Sequence, residues 1–244
     1  MEPTKSTIPT EIIELPSLGY LYPESDPLSN GKVEMRYMGA CDEDTLTNQS
    51  YILNGTVIDK LLQALIVTEI NFDNLVVGDK NAIMVAARVL GYGGEYSFSH
   101  NGKEQTIDLS KLENKPFDVT LITKGINEFK YKIPSNGTEL TYKILTHGDE
   151  IKISEELKGL KKINKEASYE LSTRLKYMIT SVNGNREPKT IREYVNNNLL
   201  SRDSRALRNH IKQTQPDVDL TFFPDGSETR VDIPIGVKFF WPDL

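Results

Sequence analysis

The residue types that could do chemistry are few and scattered. The three histidines are His100, His147 and His210, and the single cysteine is Cys41. No two histidines stand at the spacing of a His-Glu-x-x-His ligand pair, and none neighbours Cys41, so the sequence writes no metal site. Each histidine reads as a surface or turn residue. Cys41 has no partner for an internal disulfide, which fits a reducing compartment, and reads as a small, partly buried residue at a helix start. Neither a Gly-x-Ser-x-Gly elbow nor a Gly-x-x-x-x-Gly-Lys-Ser/Thr phosphate loop occurs. Gly91-Tyr92-Gly93-Gly94 echoes a dinucleotide loop, but it follows a helical pattern rather than a strand and reads as a helix stop. Asp42, Glu43 and Asp44 offer paired carboxylates for acid–base work. Acids at a helix start answer the positive end of its dipole, and that explains them better. We therefore expect no catalytic residue, no cofactor and no metal.

Three sets of residues could instead hold a partner. Arg205, Arg208 and Lys212 fall on one side of a helix, opposite Leu200, Leu207 and Ile211. This stripe would grip phosphates or an acidic protein, or it is simply a solvated face. No aromatic residues interleave it for base stacking, and a net charge of −6 argues against nucleic acid or an anionic membrane. Salt-sensitive DNA retention, lost with the three cations, would be the sign of a nucleic-acid module. The second set, Leu15, Tyr20 and Tyr22, lies in a proline-containing N-terminal arm. The third, Phe239, Phe240 and Trp241, closes the chain and holds its only tryptophan. Aromatic side chains left in water would be sticky, so the arm and the tail must pack either on the chain itself or on a neighbour.

The elements that would position these residues follow from periodicity. Residues 1–31 carry Pro3, Pro9, Pro16, Pro23 and Pro27, which removes backbone donors and predicts an extended arm, neither helix nor central strand. Lys32–Met38 alternates as a half-buried strand. A helix opens at Asp42-Glu43-Asp44, and Asn54-Gly55 breaks it. A second is capped by Thr56, with Val57, Ile58, Leu61, Leu62, Leu65 and Ile66 on one face. Asp79 starts a third, with Ile83, Ala87 and Leu90 inward. A hairpin turns at Asn101-Gly102. Strands at Phe129–Ile133 and Leu140–Leu145 flank Ser135-Asn136-Gly137, and Ser154–Val182 reads as helical, with Leu171, Leu175, Met178, Ile179 and Val182 at helical spacing. Thr190–Val195 and Asp203–Gln213 predict further helices, and a second hairpin turns at Asp225-Gly226.

The order of these elements repeats. Sliding Asn74–Leu109 forward by 124 positions lays it on Asn198–Ile233 without a gap. Eight pairs are identical: Asn74/Asn198, Leu75/Leu199, Asp79/Asp203, Ala82/Ala206, Phe98/Phe222, Gly102/Gly226, Glu104/Glu228 and Asp108/Asp232. They include a turn glycine, strand positions and a helix face, which a shared fold must keep. Val33–Met38 likewise falls on Leu140–Leu145, and Asp42-Glu43 on Asp149-Glu150, at a shift of 107. The expected fold is therefore α+β, with two related modules. Each is a short antiparallel strand unit plus helices ending in a helix–β-hairpin. The divisions are an arm (1–31), a first module (32–112), a linker (113–127), a second module with a helical insertion (128–236) and an aromatic tail (237–244). An apolar fraction of 38% in 244 residues builds a core but not a generous one, so partners could cover some apolar surface. No apolar run is long enough to cross a bilayer, and the polar N-terminus does not read as a secretory signal.

Several strings resemble a baseplate protein family of T4-like contractile-tailed bacteriophages, the baseplate hub subunits. They are Val33-Glu-Met-Arg-Tyr-Met38, Asn54-Gly-Thr-Val-Ile-Asp-Lys-Leu-Leu62, Val77-Gly-Asp-Lys-Asn-Ala-Ile-Met84, Arg88-Val-Leu-Gly-Tyr-Gly93, Glu156-Leu-Lys-Gly-Leu-Lys161, Ser201-Arg-Asp-Ser-Arg-Ala-Leu207 and Gly236-Val-Lys-Phe-Phe-Trp-Pro-Asp243. The resemblance runs from Glu14 to the end, and Phe239-Phe240-Trp241-Pro242-Asp243 is its most specific part. It implies a non-enzymatic virion component that binds other baseplate or tail proteins, in multiple copies within a symmetric assembly, and is made in the host cytoplasm. The alternative it allows is an assembly chaperone for hub or tail subunits that is absent from the mature virion. Some members of that family place Cys-x-x-Cys pairs at the two hairpin tips, as in zinc ribbons. Here the tips read Ser99-His100-Asn101-Gly102 and Phe223-Pro224-Asp225-Gly226, so zinc is not expected.

Overall fold

The computed structural model describes residues 8–164, 168–224, 227–235 and 239–240. The fold is α+β, with four small antiparallel sheets. Pro9 and Pro16 bracket a proline-free stretch, and there the expected arm is a strand. β1 (Thr10–Glu14) pairs with β2 (Lys32–Arg36), Thr10 opposite Arg36 and Glu14 opposite Lys32. The prolines flank an edge strand, where a missing donor costs no ladder bond. Three helices follow: α1 (Ala40–Thr47), α2 (Gln49–Asn54) and α3 (Val57–Leu65). α3 buries Val57, Leu61, Leu62 and Leu65, the helical spacing read from the sequence. Ile66 then bridges back to Met35. α4 (Val77–Tyr92) leads into the hairpin of β3 (Glu95–His100) and β4 (Lys103–Asp108). Asn101 and Gly102 take φ of 50° and 76°, the left-handed pair a two-residue hairpin turn needs.

The second half begins with β5 (Phe129–Lys132) and β6 (Glu139–Tyr142). α5 (His147–Ile163) and α6 (Glu170–Met178) come next, then β7 (Ile179–Val182), which completes the sheet in the order β5-β6-β7. Ile179 and Val182 were expected on a helix, and the open edge of β6 draws them into a strand instead. α7 (Pro188–Glu193) and α8 (Ser201–Thr214) precede a second hairpin of β8 (Thr221–Phe222) and β9 (Val231–Asp232). Its expected turn, Asp225-Gly226, lies outside the described residues. Its register is not that of the first hairpin: Thr221 faces Asp232, whereas Ser97, 124 positions earlier, faces Thr106.

Several local geometries occur in both halves. Arg36 clamps Asp42 with two 2.7 Å bonds, and Lys143 holds Asp149 at 2.7–2.8 Å. In each case the acid also accepts the N–H of the residue before its helix, Gly39 at 2.8 Å and Thr146 at 3.1 Å, and so closes the helix start. α3 and α6 are both nine residues long, with entry dihedrals of −105°, 0° at Thr56 and −103°, 7° at Tyr169. Their exits match as well, −73°, 124° at Ile66 and −72°, 125° at Ile179. Leu15 N–H donates to the Gly31 carbonyl at 2.8 Å, and Ile133 N–H to that of Thr138 at 2.9 Å. Ser17 then donates its hydroxyl to Asp79 at 2.6 Å, and Ser135 its own to Asp203 at 2.6 Å.

The halves share one core. Leu61, Leu65, Ile83 and Tyr96 belong to the same buried cluster as Tyr142, Leu175, Leu207 and Phe240. Val77 N–H donates to Leu145 and His147 N–H to Leu75, stitching the start of α4 to the start of α5. The hairpins meet edge to face through Phe98 and Phe222, 5.0 Å apart.

Candidate partner interface

Of the expected partner-binding residues, the arm and tail sets are largely inside. Leu15 is fully buried, and Tyr22 is buried with its hydroxyl donating to Asp79 at 2.6 Å. Tyr20 is half-buried, with the Lys124 ammonium 5.5 Å from its ring centre. Phe239 and Phe240 are fully buried, Phe239 edge-on to Tyr96 at 5.1 Å. Leu15, Tyr22, Phe239 and Phe240 therefore fill the chain's own core rather than an outer face. Trp241 lies outside the described residues.

Two buried polar centres fasten them, and neither was read from the sequence. Asp79, in the first turn of α4, accepts the Ser17 N–H at 2.9 Å, the Ser17 hydroxyl and the Tyr22 hydroxyl. Burial raises this carboxyl to about 6, against the pull of the Ser17 and Tyr22 donors. Burial, then the adjacent Asp79, pushes the Tyr22 phenol up. Arg88 is buried to 1% exposure and, among the described residues, pairs with no carboxylate. Its guanidinium donates to three carbonyls instead: Phe239 and Gly93 at 2.8 Å and Glu95 at 3.0 Å. It thereby satisfies the end of α4 and ties down the tail. The only early signal was Arg88 itself, a charge beside the inward residue Ala87.

The histidines divide. His147, expected at the surface, is buried under Phe72, with ring centres 4.7 Å apart. Its Nδ1 lies 3.1 Å from the Lys80 ammonium, which also pairs with Asp59, and its Nε2 is 3.7 Å from Asp59. Burial and then Lys80 lower its pKa, so the neutral ring accepts from Lys80 and cross-links α3, α4 and α5. His210 is half-buried against Tyr131, and His100 sits beside Phe222 in the paired hairpins. Cys41, expected to be partly buried, is exposed. Among the described residues no group of three or more histidine, cysteine or acidic side chains has the geometry to hold a metal ion. Among them, too, no helix is long and apolar enough to cross a membrane.

Arg205, Arg208 and Lys212 remain, and they are exposed along α8 together with Arg202. The opposite face of α8 buries Asp203, Leu207 and Ile211. Among the described residues none of the four cations makes an ion pair or a side-chain hydrogen bond. Arg208 and Lys212 border a notch of about 180 Å³ against α6, floored by Leu171, Leu175 and Met178. A larger groove of about 620 Å³ crosses the outer face of the β5-β6-β7 sheet. There Glu128 takes two 2.8 Å bonds from Arg186 and one of 2.7 Å from Thr180. On α8 four cations stand along one helix face with no acid neutralising them among the described residues. No protein-family model, curated protein or solved structure matches the chain.

Proposed function

We propose that this chain is a non-enzymatic structural protein of a contractile-tail baseplate, a hub or hub-associated component, whose two halves are copies of one α+β module. The observation that carries the reading is the repeated anchor, Ser17 on Asp79 and Ser135 on Asp203, set at the same point of each strand–helix arrangement. The paired Arg36–Asp42 and Lys143–Asp149 clamps and the resemblance from Glu14 onward support it. Two copies of a module in one chain present related faces, so one molecule can touch two neighbours or two positions of a ring in similar ways.

Quantitative mass spectrometry of purified virions tests this, alongside lysate from infected cells. Peptides of this chain at the abundance of known baseplate subunits are the expected result. Their absence from virions, with co-purification of hub or tail subunits from lysate, would replace the structural part with an assembly chaperone. Absence from both sinks the proposal.

A further inference from the structure

The two long helices α4 and α8 share one buried face but differ in the next. Asp79, Ile83 and Ala87 on α4 correspond, 124 positions on, to Asp203, Leu207 and Ile211 on α8, and all six are buried. α4 also buries Gly78, Val85 and Arg88, and half-buries Asn81. A Cβ on Gly78 would overlap the Pro216 carbonyl, so backbone lies directly on it. Asn81 donates to the Asp217 carboxylate at 3.0 Å. The cover at Gly78 and Asn81 is thus Pro216 and Asp217, the start of an acidic stretch, Pro216-Asp217-Val218-Asp219, with Val218 buried between the two acids. On α8 the corresponding positions are Arg202, Arg205, Asn209 and Lys212, and all four are exposed.

We propose that this face of α8 is a docking site for an extended acidic segment of a partner protein, laid on the helix as Pro216 and Asp217 are laid on the start of α4. Three observations argue for that occupant. Of the four exposed positions three are cationic: Arg202 and Arg205 stand where α4 has Gly78 and Asn81, and Lys212 stands where α4 has the carbonyl-bound Arg88. Those cations have no partner among the described residues, in a chain whose net charge is −6. The apolar notch beside Arg208 and Lys212 matches a segment that alternates acidic and apolar side chains, as the α4 cover does. The proposal rests on the structural reading above and names the chemistry of one partner.

A labelled synthetic peptide of repeated Asp-Val-Asp-Leu is the probe, read by fluorescence anisotropy with the full-length chain. Binding that falls about tenfold in Arg205→Gln/Arg208→Gln/Lys212→Gln is expected, together with unchanged binding in Lys158→Gln/Lys161→Gln/Lys162→Gln on α5. The peptide with asparagine for aspartate should bind more weakly than the acidic one. Circular dichroism must show both variants folded, as surface substitutions should be. No binding at millimolar peptide overturns the proposal, and so does equal weakening in both variants, which is general charge attraction. A DNA oligonucleotide bound more tightly than the peptide, and lost in the same α8 variant, overturns it in favour of nucleic acid. Self-association abolished by the α8 variant makes the occupant a second copy. None of these outcomes depends on whether the chain is found in virions, so the two readings fail separately.

Discussion

At the residue scale, Asp79 and Arg88 show how little of a buried polar site is visible from spacing. Each carries a charge in a helical pattern whose neighbours are apolar, and each becomes intelligible only through a partner far away in sequence, Ser17 and Tyr22 for one and Phe239 for the other. The two anchors differ in strength. Asp79 receives three donors, whereas Asp203 receives the Ser135 hydroxyl. Replacing Asp79 with alanine leaves those donors unpaired in the core and should destabilise by about 2–4 kcal/mol, against about 1 kcal/mol for Asp203→Ala, measured by urea unfolding. Equal losses would overturn that ranking. Burial places the folded-state value of Asp79, about 6, above its ordinary 3.8, so the folded protein holds the proton more tightly than the unfolded chain. Its contribution to stability is full below pH 4 and is lost as the pH rises to about 6, a change of about 2–3 kcal/mol. The stability difference between wild type and Asp79→Asn should therefore shrink across that window and stay flat above it. A difference independent of pH would show that the carboxyl titrates normally. For Arg88→Met, which removes all three carbonyl bonds while keeping the side chain's bulk, the expected loss is about 2–4 kcal/mol by the same measurement.

At the scale of elements, what is local was legible and what depends on a distant neighbour was not. The Asn101-Gly102 hairpin, the Asn54-Gly55 stop and the apolar face of α3 follow from residues within one turn of each other. β7 does not: Ile179-Thr180-Ser181-Val182 continues the spacing of Leu171, Leu175 and Met178, and the competing partner, β6, lies some 40 residues upstream. β1 was hidden by the prolines on either side of it. The anchor itself is written twice, as Leu15-Pro16-Ser17-Leu18-Gly19 and Ile133-Pro134-Ser135-Asn136-Gly137, at a separation of 118. Offsets of 124 and 107 do not superimpose these two strings, because segments of different length separate them from the other matching stretches. Gly78 was equally opaque. A glycine inside a helix reads as a weakness, yet here it admits the backbone of Pro216 onto α4. Gly78→Ala would raise helix propensity and, on an isolated helix, stabilise it. In this fold the methyl group collides with the Pro216 carbonyl, and the expected result is a loss of about 1–3 kcal/mol, with faster amide exchange at Lys115 and Asp219, whose N–H groups bond across this junction. Stabilisation would show that the close approach does not form.

At the scale of the whole molecule, the repeated arrangement and the shared core pull in different directions. Two halves of a chain that fold independently would unfold as two units, and 244 residues is ample for that. The packing argues otherwise. Gly78 and Asn81 on α4 are covered by Pro216 and Asp217 from the second half, Arg88 is tied to Phe239, and Tyr96 donates to the Pro234 carbonyl at 2.9 Å. Lys115 and Asp219 exchange backbone bonds with Asp217 and Glu113, so the linker is itself part of the junction. Removing the second half would take the Phe239 carbonyl from Arg88, the Pro234 carbonyl from Tyr96 and the Pro216 backbone from Gly78 together, and the first half relies on that cover. The full chain should accordingly melt in one transition, with a calorimetric enthalpy equal to the van't Hoff value. A fragment of residues 1–112 should lack dispersed amide resonances under the same conditions. Two resolved transitions, or a folded fragment, would mean that the halves are independent domains in contact. The exposed face of α8 then follows from the same asymmetry: the first half is completed by the second within one chain, and the corresponding surface of the second half is left for another molecule to complete.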